Sequence, residues 1–89
     1  MEISIKIAGI DFIFNGLKYH ETKVFPGCGD IYGCAIKRMS KNRYKVYIIV
    51  SWDAAELECN SLKESCAMVQ RYYNKYGTFI PDVGEKESL

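Results

Sequence analysis

Residues 52–66, WDAAELECNSLKESC, admit two secondary structures, and the choice between them sets the fold of the chain. Taken as one helix running on to Tyr76, residues Ala55, Cys59, Leu62, Cys66, Val69, Tyr73 and Tyr76 recur at steps of 4, 3, 4, 3, 4 and 3. At about 100° per residue those steps draw one narrow stripe without a charge in it. Asp53 followed by Glu56 makes a capping box for that helix, and Gly77 stands where a left-handed C-cap glycine belongs. Leu57 is the misfit, because it points away from the stripe. Taken as a strand and a shorter helix, Ala55, Leu57 and Cys59 alternate with Ala54, Glu56 and Glu58. Asn60 or Ser61 then caps the helix, with Glu64 closing a box from Ser61. Alanine, glutamate and leucine are good helix formers and poor strand formers, so propensity favours the long helix from Asp53. Under either reading residues 62–76 are helical.

Upstream of this stretch the period changes to two. Ile3, Ile5 and Ile7 alternate with Glu2, Ser4 and Lys6, the pattern of a half-buried strand. Residues 11–14, then Asn15-Gly16, then residues 17–25 predict a hairpin, because Asn-Gly accepts the two positive φ angles of a type I′ turn. Residues 26–33, PGCGDIYG, are too rich in glycine and proline for a regular element. A second hairpin follows, with strands at 31–39 and 43–51 around a turn at Ser40, Lys41 and Asn42. In its returning strand Tyr44, Val46, Ile48 and Val50 are expected to face the core, and Arg43, Lys45, Tyr47 and Ile49 to face outward. The fold class is therefore α+β: an antiparallel sheet of two hairpins plus an amino-terminal strand, packed against one C-terminal amphipathic helix. Residues 1–81 form a single domain, of which 78–81 add a short packed extension, and 82–89 read as a flexible C-terminal tail.

With 89 residues, 48% of them hydrophobic and 26% charged, the chain has the composition of one globular domain with one core. So small a domain has little room for a deep substrate pocket and its supporting shell, which favours a binding module and disfavours an enzyme. The net charge of +1 hides an uneven distribution. Residues 31–52 hold five cations and no acid, whereas residues 53–64 hold four acids against one lysine. That predicts an electrostatically two-sided molecule. The longest apolar run, residues 46–50, is far below the roughly 20 residues of a membrane helix. No basic stretch followed by an apolar run opens the chain, so a cytoplasmic protein is expected, in its own cell or in a host it enters.

Cysteines stand at 28, 34, 59 and 66. Zinc ligands come in tighter pairs, two to four residues apart, because a turn must aim two sulfurs at one ion. Free thiols are the expectation, with no metal and no cofactor. Gly27, Gly29 and Gly33 superficially resemble a phosphate cradle, but they lead into a strand where that chemistry needs a helix amino terminus. His20 is the single histidine, and no acid–base pattern surrounds it, so catalysis with Cys28 or Cys34 is not expected. Asp53, Glu56, Glu58 and Glu64 spread over several faces of a helix and complement its dipole, with no metal or acid–base pair among them.

Two surfaces remain as candidates. The first is the basic hairpin, where Lys37, Arg38, Lys41, Arg43 and Lys45 are interleaved with Tyr32, Tyr44 and Tyr47, a mixture that neutralises phosphates and stacks on bases. If residues 54–59 are a strand, the order from Ile31 is three strands and a helix. That layout is similar to the β-ribbon DNA readers of plant AP2 domains and integrase amino-terminal domains. The resemblance covers about half the chain and implies a sheet face placed in the major groove. A solvated hairpin kept soluble by its charge explains the same residues. The second surface is the end of the helix, where Arg71 and Tyr72 lie beside Met68, residue types enriched in protein–protein interfaces. The expectation is a small non-enzymatic binding protein, of the kind seen among accessory factors and inhibitors of phages and mobile elements. It blocks a protein, or a protein–nucleic-acid complex, through Lys37, Arg38, Lys41, Arg43, Lys45, Tyr47, Arg71 and Tyr72. The alternative is direct nucleic-acid binding by residues 37–45. No membrane is expected as a partner, and an unpaired edge strand at 2–8 allows a homodimer without requiring one.

Overall fold

The computed structural model describes residues 2–77, so the extension expected at 78–81 and the tail expected at 82–89 lie outside the described residues. The elements are β1 (Ile3–Ile7), β2 (Ile10–Phe14), β3 (Thr22–Phe25), β4 (Ile31–Ser40), β5 (Arg43–Val50), β6 (Asp53–Cys59) and α1 (Leu62–Tyr76). They form two antiparallel sheets, β1-β2 and β3-β4-β5-β6, packed against the one helix. The α+β class, with antiparallel strands packed against one C-terminal helix, is as the sequence implies, but the strands divide into two sheets and two further details differ.

The long helix from Asp53 does not form; residues 53–59 are the strand β6. The reason is tertiary. β5 pairs with this segment so that Lys45 lies opposite Glu58, Tyr47 opposite Glu56 and Val46 opposite Leu57. Glu56 and Glu58 fall on the outer face, where they meet Lys45 and Arg43. Leu57, the residue that fitted no helical stripe, joins Ala55 and Cys59 on the core side. Packing on both faces of a ready strand outweighs a β-propensity penalty that is a fraction of the roughly 1 kcal/mol span of the scale at each residue. The helix then starts after Ser61, whose hydroxyl accepts from the Glu64 N–H at 3.0 Å. Glu64 in turn accepts from the Asn60 N–H at 2.8 Å. At the other end Gly77 caps the helix but is not left-handed (φ −91°). Glycine is required there for space, since a Cβ would stand 2.8 Å from the Tyr73 carbonyl oxygen.

The first hairpin also turns elsewhere. β2 pairs with β1, Ile7 opposite Ile10, around Ala8 and Gly9, whose φ angles of 52° and 79° are those of a type I′ turn. Asn15-Gly16 instead leads out of the sheet, and β3 pairs only with β4. Closing β1 on β2 needs a two-residue loop and sets Ile3, Ile5 and Ile7 against Phe14, Phe12 and Ile10. Leu17 then plugs the core, and the chain turns back at Lys18, whose N–H donates to the Glu21 carboxylate at 2.7 Å.

The β4–β5 hairpin agrees with expectation, with Tyr44, Val46 and Ile48 buried and Val50 partly so. α1 covers that face and also packs on β1. Ile5, Phe25, Ile31, Ile36, Val46, Ile48 and Val69 are the most buried residues of the core. Phe14 and Phe25 meet edge to face at 6.1 Å, joining the two sheets, and the Tyr73 hydroxyl donates to the Pro26 carbonyl at 2.6 Å. No helix among the described residues is long and apolar enough to cross a membrane.

Candidate functional site

β6 is a terminal strand of its sheet, and α1 lies beside it on the core side. The two touch firmly at one end, where the Cys59 thiol approaches the Met68 sulfur at 3.9 Å. From there they diverge. The space between them is an open cleft of about 400 Å³ lined by Leu57 from β6 and by Met68, Arg71, Tyr72, Lys75 and Tyr76 from α1. A smaller depression of about 180 Å³ shares Tyr72 and Tyr76 and continues past Ala55, Ala54 and Asp53 to Trp52. Trp52 stands edge-on to Tyr76 at 5.4 Å, and Tyr72 lies 6.0 Å from Tyr76, so the floor is aromatic. The helix supplies this wall because residues 68, 72 and 75 or 76 recur at steps of three and four along one flank.

The backbone of β6 faces the same opening. In an antiparallel ladder the N–H and C=O of alternate residues point to the partner and those between point away. The Ala54 N–H donates to its neighbour's Asp53 Oδ1 at 2.8 Å, so it points away from β5, and the groups of Glu56 and Glu58 point with it. Among the described residues the ion pairs are Arg43–Glu58 at 3.2 Å and Lys45–Glu56 at 2.9 Å, both on the outer face. Arg71 and Lys75 thus carry no carboxylate partner among the described residues; Lys75 rests 5.1 Å from the Tyr76 ring centroid.

The residues singled out from the sequence divide among three places. Arg71 and Tyr72 come together in the cleft. Lys37, Arg43, Lys45 and Tyr47 share the outer face of the four-stranded sheet, where Thr22, Lys37, Lys45 and Glu58 stand in one row and Val24, Ala35, Tyr47 and Glu56 in the next. Lys41 sits in the β4–β5 turn. Arg38 faces the other way: its guanidinium donates to the Leu17 carbonyl at 2.8 Å and lies 4.5 Å from the Tyr19 ring, so it holds the loop before β3. The hairpin is therefore less basic than its sequence, because strand pairing brings the acids of β6 alongside the cations of β5. The two-sided charge distribution is corrected accordingly. Glu56 holds the Lys45 ammonium above its ordinary pKa through their hydrogen bond.

The thiols are free, with Cys34, Cys59 and Cys66 buried. Burial pushes the Cys34 thiol up to about 12 and the Cys66 thiol up to about 11, which keeps both protonated and unreactive at neutral pH. Cys28 donates its S–H to the Gly77 carbonyl at 2.8 Å and so closes the helix end. No three His, Cys, Asp or Glu side chains among the described residues converge on a metal-sized site. Met68 stood beside Tyr72 in the sequence reading, but Leu57 was legible only once β6 was known to be a strand, since that alone places it opposite the helix flank. No family model, curated protein or solved structure matches the chain.

Proposed function

We propose that the chain is a small non-enzymatic binding protein whose partner is another protein, engaged through the cleft between β6 and α1. The open edge of β6 beside that aromatic cleft carries the reading. It combines backbone groups unpaired among the described residues, half-buried apolar side chains and two cations with no carboxylate partner among those residues, the ingredients of a peptide-recognition surface. Binding there blocks or recruits the partner by occupying it, the action of an inhibitor or accessory factor. A cytoplasmic setting belongs to this reading and is supported by four cysteines that stand as free thiols. Affinity capture by the full-length protein in its own cells tests the proposal. A partner held by the wild type and lost by Tyr72→Ala, with the circular dichroism spectrum unchanged, is expected. A partner held equally by both would remove the cleft from consideration.

A second reading, nucleic-acid binding by the outer sheet face, is favoured by the strand order β4-β5-β6-α1 and by the adjacent Lys37 and Lys45. Glu56 and Glu58 on the same face oppose it. Its signature is retention on DNA or RNA at low salt that falls steeply with added salt and weakens in Lys37→Ala/Lys45→Ala.

A further inference from the structure

Two strand edges border α1, and they are finished differently. On β1 the Gln70 side chain takes both backbone groups of Lys6, accepting from its N–H at 2.8 Å and donating to its carbonyl at 2.9 Å. On β6 the outward groups of Glu56 and Glu58 have no partner among the described residues, and only the Ala54 N–H is satisfied, by Asp53. Sheets that stay unpaired blunt their edges. Here the edge of β1 is blunted at Lys6 by the helix, and the edge of β6 opens onto a cleft.

We propose that β6 is the acceptor edge for an extended segment of the partner protein, which adds as a fifth strand and carries an aspartate or glutamate side chain into the cleft. This rests on the protein-binding reading above and names its mode and chemistry. Main-chain bonds to Glu56 and Glu58 supply the docking, and alternate side chains enter the cleft. Charge selects what they are. Among the described residues the main cleft is lined by Arg71 and Lys75 and by no acid, whereas the β6 acids are turned to the outer face by Arg43 and Lys45. Cleft-facing positions therefore carry apolar groups and a carboxylate that reaches Arg71 and Lys75. The positions between them, beside Glu56 and Glu58, carry neutral or basic groups. A second copy of this chain is a poor occupant, because pairing β6 with β6 sets Glu56 and Glu58 of both copies on one face.

The test is selection of displayed peptides of about seven residues, the length of a typical strand, on the immobilised full-length protein, followed by amide hydrogen exchange of the complex. We expect Tyr72-dependent ligands with apolar and acidic residues at alternate positions and neutral or basic residues between. The Glu56 and Glu58 amides gain protection on binding, and methylating the peptide nitrogens that face β6 abolishes it. The exposed double variant Arg71→Glu/Lys75→Glu weakens these ligands about tenfold or more, and it keeps the test open should Tyr72→Ala not fold. Tyr72-dependent ligands that lack a carboxylate, or that survive backbone methylation, would overturn this inference and leave the cleft a protein-binding site. A selection that yields no ligand sensitive to either variant overturns both. Protection of Glu56 and Glu58 on concentrating the protein alone assigns the edge to a second copy and equally overturns the inference.

Discussion

Gln70 pairs with Lys6 as a neighbouring strand would: its amide oxygen accepts from the Lys6 N–H at 2.8 Å and its amide nitrogen donates to the Lys6 carbonyl at 2.9 Å. The same nitrogen also donates to Asn74 at 3.0 Å, which fixes the rotamer. One helical side chain thereby docks α1 onto the two-stranded sheet and covers the edge of β1 at Lys6. Gln70→Ala removes both backbone bonds and is expected to cost about 1–2 kcal/mol. Urea unfolding measures the loss, and amide exchange should show Lys6 among the positions that open faster. An unchanged midpoint would mean that apolar packing alone holds β1 against the helix.

The boundary between β6 and α1 rests on Ser61 and Glu64. Ser61→Ala leaves the Glu64 N–H without its acceptor and should destabilise the fold by about 1 kcal/mol. Ser61→Asp should restore most of it, because a carboxylate accepts the same bond and complements the helix dipole. Thermal or urea midpoints of the three proteins decide the matter; equal midpoints for alanine and aspartate would contradict the cap.

The turn at Ala8 and Gly9 is imperfectly matched to its residues. Both have positive φ, which glycine accepts and alanine does not. Ala8→Asn creates the Asn-Gly pair that type I′ turns favour and should stabilise the protein by up to about 1 kcal/mol. Gly9→Ala should do the opposite, at about 1 kcal/mol or more. Transplanting the Asn-Gly signal to this position and finding no gain would count against the observed pairing of β1 with β2.

Alkaline pH should weaken the fold through its buried thiols. Burial raises Cys34 from 9.0 to about 12 and Cys66 from 9.0 to about 11, and it raises the Tyr73 hydroxyl as well. Below pH 9 the thiols are protonated in both folded and unfolded chains and add no pH dependence. Above it the unfolded chain releases protons that the folded chain retains, so stability falls from pH 9 until about pH 11 for Cys66 and about pH 12 for Cys34. Unfolding midpoints measured from pH 7 to 11 should fall less steeply in Cys34→Ala than in the wild type. Parallel slopes would show that Cys34 ionises as readily in the folded chain as in the unfolded one.

Local patterning determined the parts whose residues agree at every level. The alternation of Tyr44, Val46 and Ile48 and the helix over 62–76 were readable, because periodicity and propensity coincide there, whereas the start at Ser61 was one of two that capping chemistry allowed and not the one propensity favoured. Arg71 and Tyr72 were readable as a candidate surface from residue type and helical position. Three things needed the tertiary structure. The Asn15-Gly16 turn signal lost β2 to a turn at Ala8 and Gly9 that the sequence did not announce, one that matches the isoleucines of β1 with Phe12 and Phe14. Residues 53–59 are helix formers by propensity, and only the cations of β5 on one face and the core on the other draw them into a strand. That strand, in turn, spends the acids on Arg43 and Lys45, leaves Arg71 and Lys75 with no carboxylate partner among the described residues, and sets a terminal strand edge beside the cleft. Side-chain periods are local and can be read along the chain. Strand pairing and charge matching join residues distant in sequence, and folding alone decides which of them meet.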